Sequence, residues 1–94
     1  MNRIKFTRQA RKDLVQIRDY IAEDSPAAAA RVLRIIIQKT NRLIDHPKLG
    51  RRGRVVGTRE LVITETPYIS VYRVEGEMID ILRVLHGARQ WPEC

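Results

Sequence analysis

Residues 7–45 read TRQARKDLVQIRDYIAEDSPAAAARVLRIIIQKTNRLID, two apolar patterns of helical spacing separated by Asp24-Ser25-Pro26. In the first half, Ala10, Leu14, Ile17 and Ile21 recur at intervals of four, three and four, which places them on one face of a helix. Thr7 precedes that helix, where its hydroxyl accepts from a first-turn amide that lacks an intrahelical partner. Ser25 is the next N-cap, and Pro26 occupies the first helical position, where its missing N–H is not needed. The second helix is expected from Pro26 to about Asp45, with His46-Pro47 ending it and the imidazole suiting the negative end of the helix dipole. A connection this short makes the pair an antiparallel helical hairpin.

The second helix is unusually apolar around its circumference. Ala29, Leu33, Ile36, Thr40 and Leu43 form one stripe, and Val32, Ile35, Ile37 and Ile44 widen it. Such a helix must be covered on more than one side. Either Ala28, Val32 and Ile35 face a partner, or the first helix and a sheet cover everything.

Outside the hairpin the period changes to two. Asn2–Phe6 alternates, with Ile4 and Phe6 on one face and Arg3 and Lys5 on the other, as a short first strand does. After the hairpin, Gly50, Gly53 and Gly57 punctuate a basic loop holding Lys48, Arg51, Arg52 and Arg54. Three strands follow at Arg59–Glu65, Tyr68–Val74 and Met78–Leu85, separated by Thr66-Pro67 and by Glu75-Gly76-Glu77. The last is apolar on both faces and so belongs in the sheet interior. The fold class is α+β: an N-terminal strand and a helical hairpin packed on a small twisted, mainly antiparallel sheet, in a single domain over residues 1–94.

Composition narrows the function. The net charge is +7, and it is unevenly spread: residues 1–54 carry fourteen basic and five acidic side chains, residues 55–94 four and six. A basic surface favours polyanions or an acidic protein partner, and arginine suits planar contacts with phosphate or carboxylate. The only cysteine, Cys94, forms no intrachain disulfide, which fits a reducing compartment. No apolar run approaches the roughly 20 residues of a membrane span, and the N-terminus does not resemble a secretory signal. The expected location is the cytoplasm, with no membrane partner.

Little in the chain suggests catalysis. His46, His86 and a terminal cysteine have no metal-ligand spacing, and no nucleophile has a supporting base, so neither metal nor cofactor is expected. The glycines of the basic loop match no phosphate-binding pattern. What remains is Arg59, Arg73, Arg83, His86 and Arg89, with Glu60 and Tyr72 as neighbours. Arginine within a strand costs desolvation unless paired, so Arg73 and Arg83 either form salt bridges to Asp80 or Glu60 or present a cationic surface to phosphates. A three-residue loop at 75–77 places Arg73 and Arg83 on one sheet face, and a two-residue loop splits them. Trp91 is either a binding anchor or a side chain folded back to close the core.

Four fragments carry a family resemblance: Asp24-Ser25-Pro26-Ala27-Ala28 opening a helix; His46-Pro47-Lys48-Leu49-Gly50-Arg51 leading into Gly53-Arg54-Val55-Val56-Gly57-Thr58-Arg59-Glu60-Leu61-Val62; Thr66-Pro67-Tyr68-Ile69 with Tyr72-Arg73-Val74; and Ile81-Leu82-Arg83-Val84-Leu85-His86-Gly87-Ala88-Arg89-Gln90-Trp91-Pro92. In this order they resemble the RelE/ParE toxin superfamily, and its ParE-like branch in particular. The resemblance implies the toxin of a type II toxin–antitoxin, plasmid-stabilising system that poisons DNA gyrase without catalysing a reaction. It also implies a cognate antitoxin that silences the toxin and carries any contact with operator DNA. Gyrase-facing residues would be Arg59, Arg73, Arg83, His86, Arg89 and Trp91. Antitoxin-facing residues would be Leu14, Ile17, Ile21, Val32 and Ile35. The RelE-like alternative cleaves mRNA on the ribosome. Here it would rely on Glu60, Arg73, Arg83 and His86, since no tyrosine follows Tyr72 and the paired lysines of that group have no counterpart.

Overall fold

The computed structural model describes residues 1–88 together with Trp91 and Pro92. Its elements are β1 (Arg3–Phe6), α1 (Arg8–Ala22), α2 (Pro26–Asn41), β2 (Arg51–Arg52), β3 (Arg59–Val62), β4 (Tyr68–Glu75) and β5 (Met78–His86). Both helices begin as their sequence requires. Thr7 accepts from the Ala10 amide at 3.2 Å, and Ser25 accepts from the Ala28 amide at 3.1 Å, with Pro26 in the first turn of α2. At its far end α2 stops at Asn41 rather than Asp45, and Arg42–Ile44 tightens into a 3₁₀ turn. Such tightening is common where the last carbonyls lose their partners.

The strands form one sheet in the order β1-β5-β4-β3-β2. β1 runs parallel to β5, and every other pairing is antiparallel. β5 is therefore interior, as its two apolar faces require. The segment expected to be wholly loop contributes Arg51–Arg52 as a two-residue edge strand, too short to show an alternation. One sheet face packs on the hairpin, where Ile36 and Leu43 meet Leu61, Ile63, Tyr72, Ile79 and Ile81. A 2.9 Å contact between the buried hydroxyls of Thr40 and Ser70 bridges this layer. On the other face Ile69, Val71 and Leu85 form a second cluster against Trp91.

The β4–β5 hairpin settles the orientation of the two strand arginines. Its loop has two residues, with Glu75 opposite Met78, and this alone would place Arg73 and Arg83 on opposite faces. Further along, Tyr72 pairs with Ile81 but Val71 pairs with Arg83, so Leu82 is the extra residue of a β-bulge. Arg83 is thereby opposite Val71, two residues from Arg73, and the pair share the face of the second cluster.

Candidate functional site

β1 covers β5 only from Met78 to Ile81, so beyond that point the β5 edge meets α1 instead of a strand. Thr7 donates its amide to Ile81 O at 3.0 Å and its hydroxyl to Leu82 O at 3.1 Å. Asp13 completes the edge. It is 2% exposed and accepts from the Val84 amide at 2.9 Å and from Arg83 at 2.8 Å (Nε) and 3.1 Å (Nη2). Arg83 thus has a carboxylate partner, but it is Asp13 of α1, not Asp80 or Glu60. A buried charge held this way is expensive to break, so the pair helps to hold α1 against β5. The sequence contained a signal for this: Asp13 stands between Ala10 and Ile17 at intervals of three and four, inside the apolar line of α1.

The other strand cations are not gathered into one site. Arg73 pairs with Glu75 at 3.3 Å and with the facing Asp80 at 3.6 Å, in the salt bridge anticipated for it. Arg59 lies opposite Tyr72 and donates to Gly50 O at 2.8 Å. Glu60 is 1% exposed, receives the Arg54 amide at 3.0 Å, and meets the Arg51 and Arg54 guanidinium groups at 3.3 and 3.4 Å. His86 is exposed and stacks edge-on to Tyr68 at 5.8 Å, and its Nδ1 accepts from the Ala88 amide at 3.1 Å.

Register places Glu60 and His86 apart. Glu60 is opposite Val71 on the outer face, whereas His86 is opposite Tyr68 on the hairpin face. Trp91 sits over Ile69, Val71 and Leu85, with the Arg83 guanidinium carbon 5.8 Å from its ring centroid. That is the packing role weighed for it. Its buried Nε1 has no partner among the described residues. Arg89 lies outside the described residues. No cluster of His, Cys, Asp and Glu among the described residues has the makings of a metal site.

The apolar residues considered for a partner divide. Ile17 is 8% exposed and belongs to the core. Leu14, Ile21, Val32 and Ile35 are half-buried at its margin. Tyr20 and Val15, which the periodicity did not single out, are more open at 72% and 44% exposed, and Ile37, which widens the α2 stripe, is 39% exposed. Tyr20 borders a hollow of about 280 Å³ with Ile17, Tyr68, Val84 and His86 along the α1–β5 seam. Burial raises the pKa of both Tyr68 and Tyr72 above 10.0, with the charge of Tyr20 adding to it at Tyr68. Neither phenol ionises near neutrality. No helix of the described residues is long and apolar enough to cross a membrane.

Residues 4–91 match the family model for the ParE toxin of type II toxin–antitoxin systems, parDE. The chain is 43% identical to the putative toxin Y4kP of Sinorhizobium fredii, over 97% of this chain and 94% of that protein. It is 36% identical to toxin RelE2 of Caulobacter vibrioides, over 95% and 99% of the two chains. Among solved structures it superposes on a chain of the chromosomal ParDE system of P. aeruginosa with a TM-score of 0.83 and 31% identity, covering 92% of this chain and 96% of that one. Against the RelBE2 toxin–antitoxin complex of Mycobacterium tuberculosis the TM-score is 0.58 at 26% identity, covering 90% and 96%. A helical hairpin on a five-stranded mixed sheet, matched along almost its whole length to these toxins, makes this chain a member of the ParE toxin family of type II toxin–antitoxin systems.

Proposed function

We propose that the protein arrests growth by poisoning DNA gyrase and is held silent by a cognate antitoxin seated on its helical hairpin. The observation that carries the choice of gyrase over mRNA is the separation of Glu60 from His86. A nuclease must take a proton from one oxygen and give one to another, and its acid and base must both reach the same phosphate. Here the carboxylate is buried beneath Arg51 and Arg54 on one sheet face, and the imidazole is exposed on the other. Of the two other candidates, Arg83 is paired with Asp13 and Arg73 with Glu75 and Asp80. A protein that acts by holding its target requires no such pair. The ParE family match points the same way.

The antitoxin reading rests on the apolar margin of the hairpin, Leu14, Ile21, Val32 and Ile35, continued by the exposed Val15, Tyr20 and Ile37. An amphipathic helix laid into such a surface is a common mode of recognition.

Two assays of the purified toxin, one on gyrase without ribosomes and one on translating ribosomes, decide the matter. Inhibition of gyrase supercoiling with accumulation of cleaved DNA is the expected result. Cleavage of mRNA on translating ribosomes, lost in His86→Ala and accompanied by normal gyrase activity, would falsify it.

A further inference from the structure

The loop after α2 is pinned from beneath. The Tyr72 hydroxyl donates to Pro47 O at 2.7 Å and accepts from the Gly50 amide at 2.9 Å, and Arg59 holds Gly50 O. A Cβ on Gly50 would lie 2.7 Å from the Tyr72 ring and 2.9 Å from the Glu60 carbonyl, so only glycine allows the loop this close. The pinned loop and the β4–β5 turn enclose a hollow of about 580 Å³. Pro47, Leu49 and Val74 give it apolar walls, and Leu49 and Val74 are 45% and 38% exposed.

The cations around this hollow differ from those on the outer face of the sheet. On the outer face Arg51 and Arg54 have Glu60, Arg73 has Asp80, and Arg83 has Asp13. Lys48 and Arg59 border the hollow, and Arg52 lies opposite Arg59 in the β2–β3 register. Among the described residues none of these three forms an ion pair with a carboxylate. The carboxylates of the adjacent turn are engaged elsewhere: Glu75 with Arg73, and Glu77 with the N-terminal amine. Two like charges directly opposite on neighbouring strands are destabilising, and an incoming anion relieves that.

We propose that this hollow seats an extended, acidic segment of the target protein that carries one bulky apolar side chain. The apolar group fills the space over Pro47, Leu49 and Val74, and flanking carboxylates meet Lys48, Arg52 and Arg59. A DNA backbone would satisfy the cations but leave the apolar walls empty. The hollow is also remote from the Tyr20 end of the hairpin surface. Gly76 borders it, whereas the Tyr20 hollow is bordered by His86, and β5 spans the interval, about 30 Å at the rise of an extended strand. Because the loop is already fixed, little ordering entropy opposes binding. Gyrase as the source of the segment rests on the function proposed above.

The test uses the full chain and a labelled synthetic peptide in which one leucine is flanked by aspartates and glutamates, followed by fluorescence anisotropy. Saturable binding is expected, weakened about tenfold or more by Lys48→Glu with Arg52→Glu and by replacing the peptide's leucine with serine. Both substituted side chains are exposed, so an unchanged melting temperature accompanies the loss. Equal binding by the double variant, equal binding of the serine peptide, or saturation by a short DNA duplex but not by the peptide overturns the proposal. In a parallel supercoiling assay the double variant should lose inhibition, and full inhibition by it also overturns the proposal. If the wild-type toxin binds the peptide as described but leaves gyrase untouched, the hollow stands and the gyrase reading falls.

Discussion

Arg83 was weighed both as a salt-bridge partner and as a cation for phosphates, and the structure gives it a salt bridge to Asp13. Arg83 looked available because it interrupts an apolar strand, but the carboxylate that neutralises it comes from 70 positions away. Asp13→Ala removes the buried carboxylate that holds the part-buried Arg83 and leaves the Val84 amide unsatisfied, and is expected to cost about 3–5 kcal/mol. Arg73→Ala removes a half-exposed pair and is expected to cost no more than about 1 kcal/mol. Urea unfolding of the two variants measures the difference, and equal losses would show that Asp13 does not organise the β5 edge. Tyr72 gives a second prediction, in alkaline solution. Its pKa is raised in the fold by burial, against partial opposition from the Gly50 hydrogen bond and the Arg59 charge. The unfolded phenol therefore ionises first. Its contribution is complete below pH 10 and is lost as pH rises through the raised value. Tyr72→Phe is expected to lower stability at neutral pH, because Pro47 O and the Gly50 amide lose their partner. It should also make the decline above pH 10 shallower, as followed by circular dichroism.

Among the elements, the helix starts, set by local chemistry, matched their sequence, whereas β2 and the β5 bulge, set by long-range pairing, had no local sign. Thr7, Ser25 and Pro26 act within one turn of their own position, so both helix starts were legible. β2 has only two residues and exists because Arg51 and Arg52 meet Glu60 and Arg59, a pairing that no local pattern announces. The bulge at Leu82 is of the same kind. It reverses the face that loop length assigns to Arg83, and it lies where β1 ends and Thr7, just before α1, bonds Leu82 O. The hairpin is also where antitoxin binding is tested. Tyr20→Asp and Val32→Asp place a charge on the apolar margin, at one fully open and one half-buried position. Each is expected to weaken the complex with the antitoxin encoded beside it by tenfold or more, about 1.4 kcal/mol, while gyrase inhibition by free Tyr20→Asp is retained. Unaltered affinity in both would move the antitoxin to another surface.

For the whole molecule, a chain of 94 residues builds two apolar layers, one on each face of a five-stranded sheet. The outer layer is thin: Ile69, Val71 and Leu85 with Trp91 as the partly buried cover. Trp91→Ala should therefore lower the melting temperature as well as toxicity, with a loss of about 2 kcal/mol for the apolar surface uncovered. Loss of toxicity with an unchanged melting temperature would instead make Trp91 a binding anchor. The sequence by itself determined the hairpin, the strand count less one, the interior place of β5 and the family, because periodicity, caps and ordered motifs are properties of neighbouring residues. It also located the positive charge in the first 54 residues. Only the tertiary structure decided which of the chain's positive charges are neutralised. Glu60 and Asp13 reach their arginines across strands and from helix to sheet edge, and Lys48, Arg52 and Arg59 lack such a partner among the described residues. An ion pair depends on distances of a few ångströms between segments far apart in the chain, and these distances exist only once the core has packed.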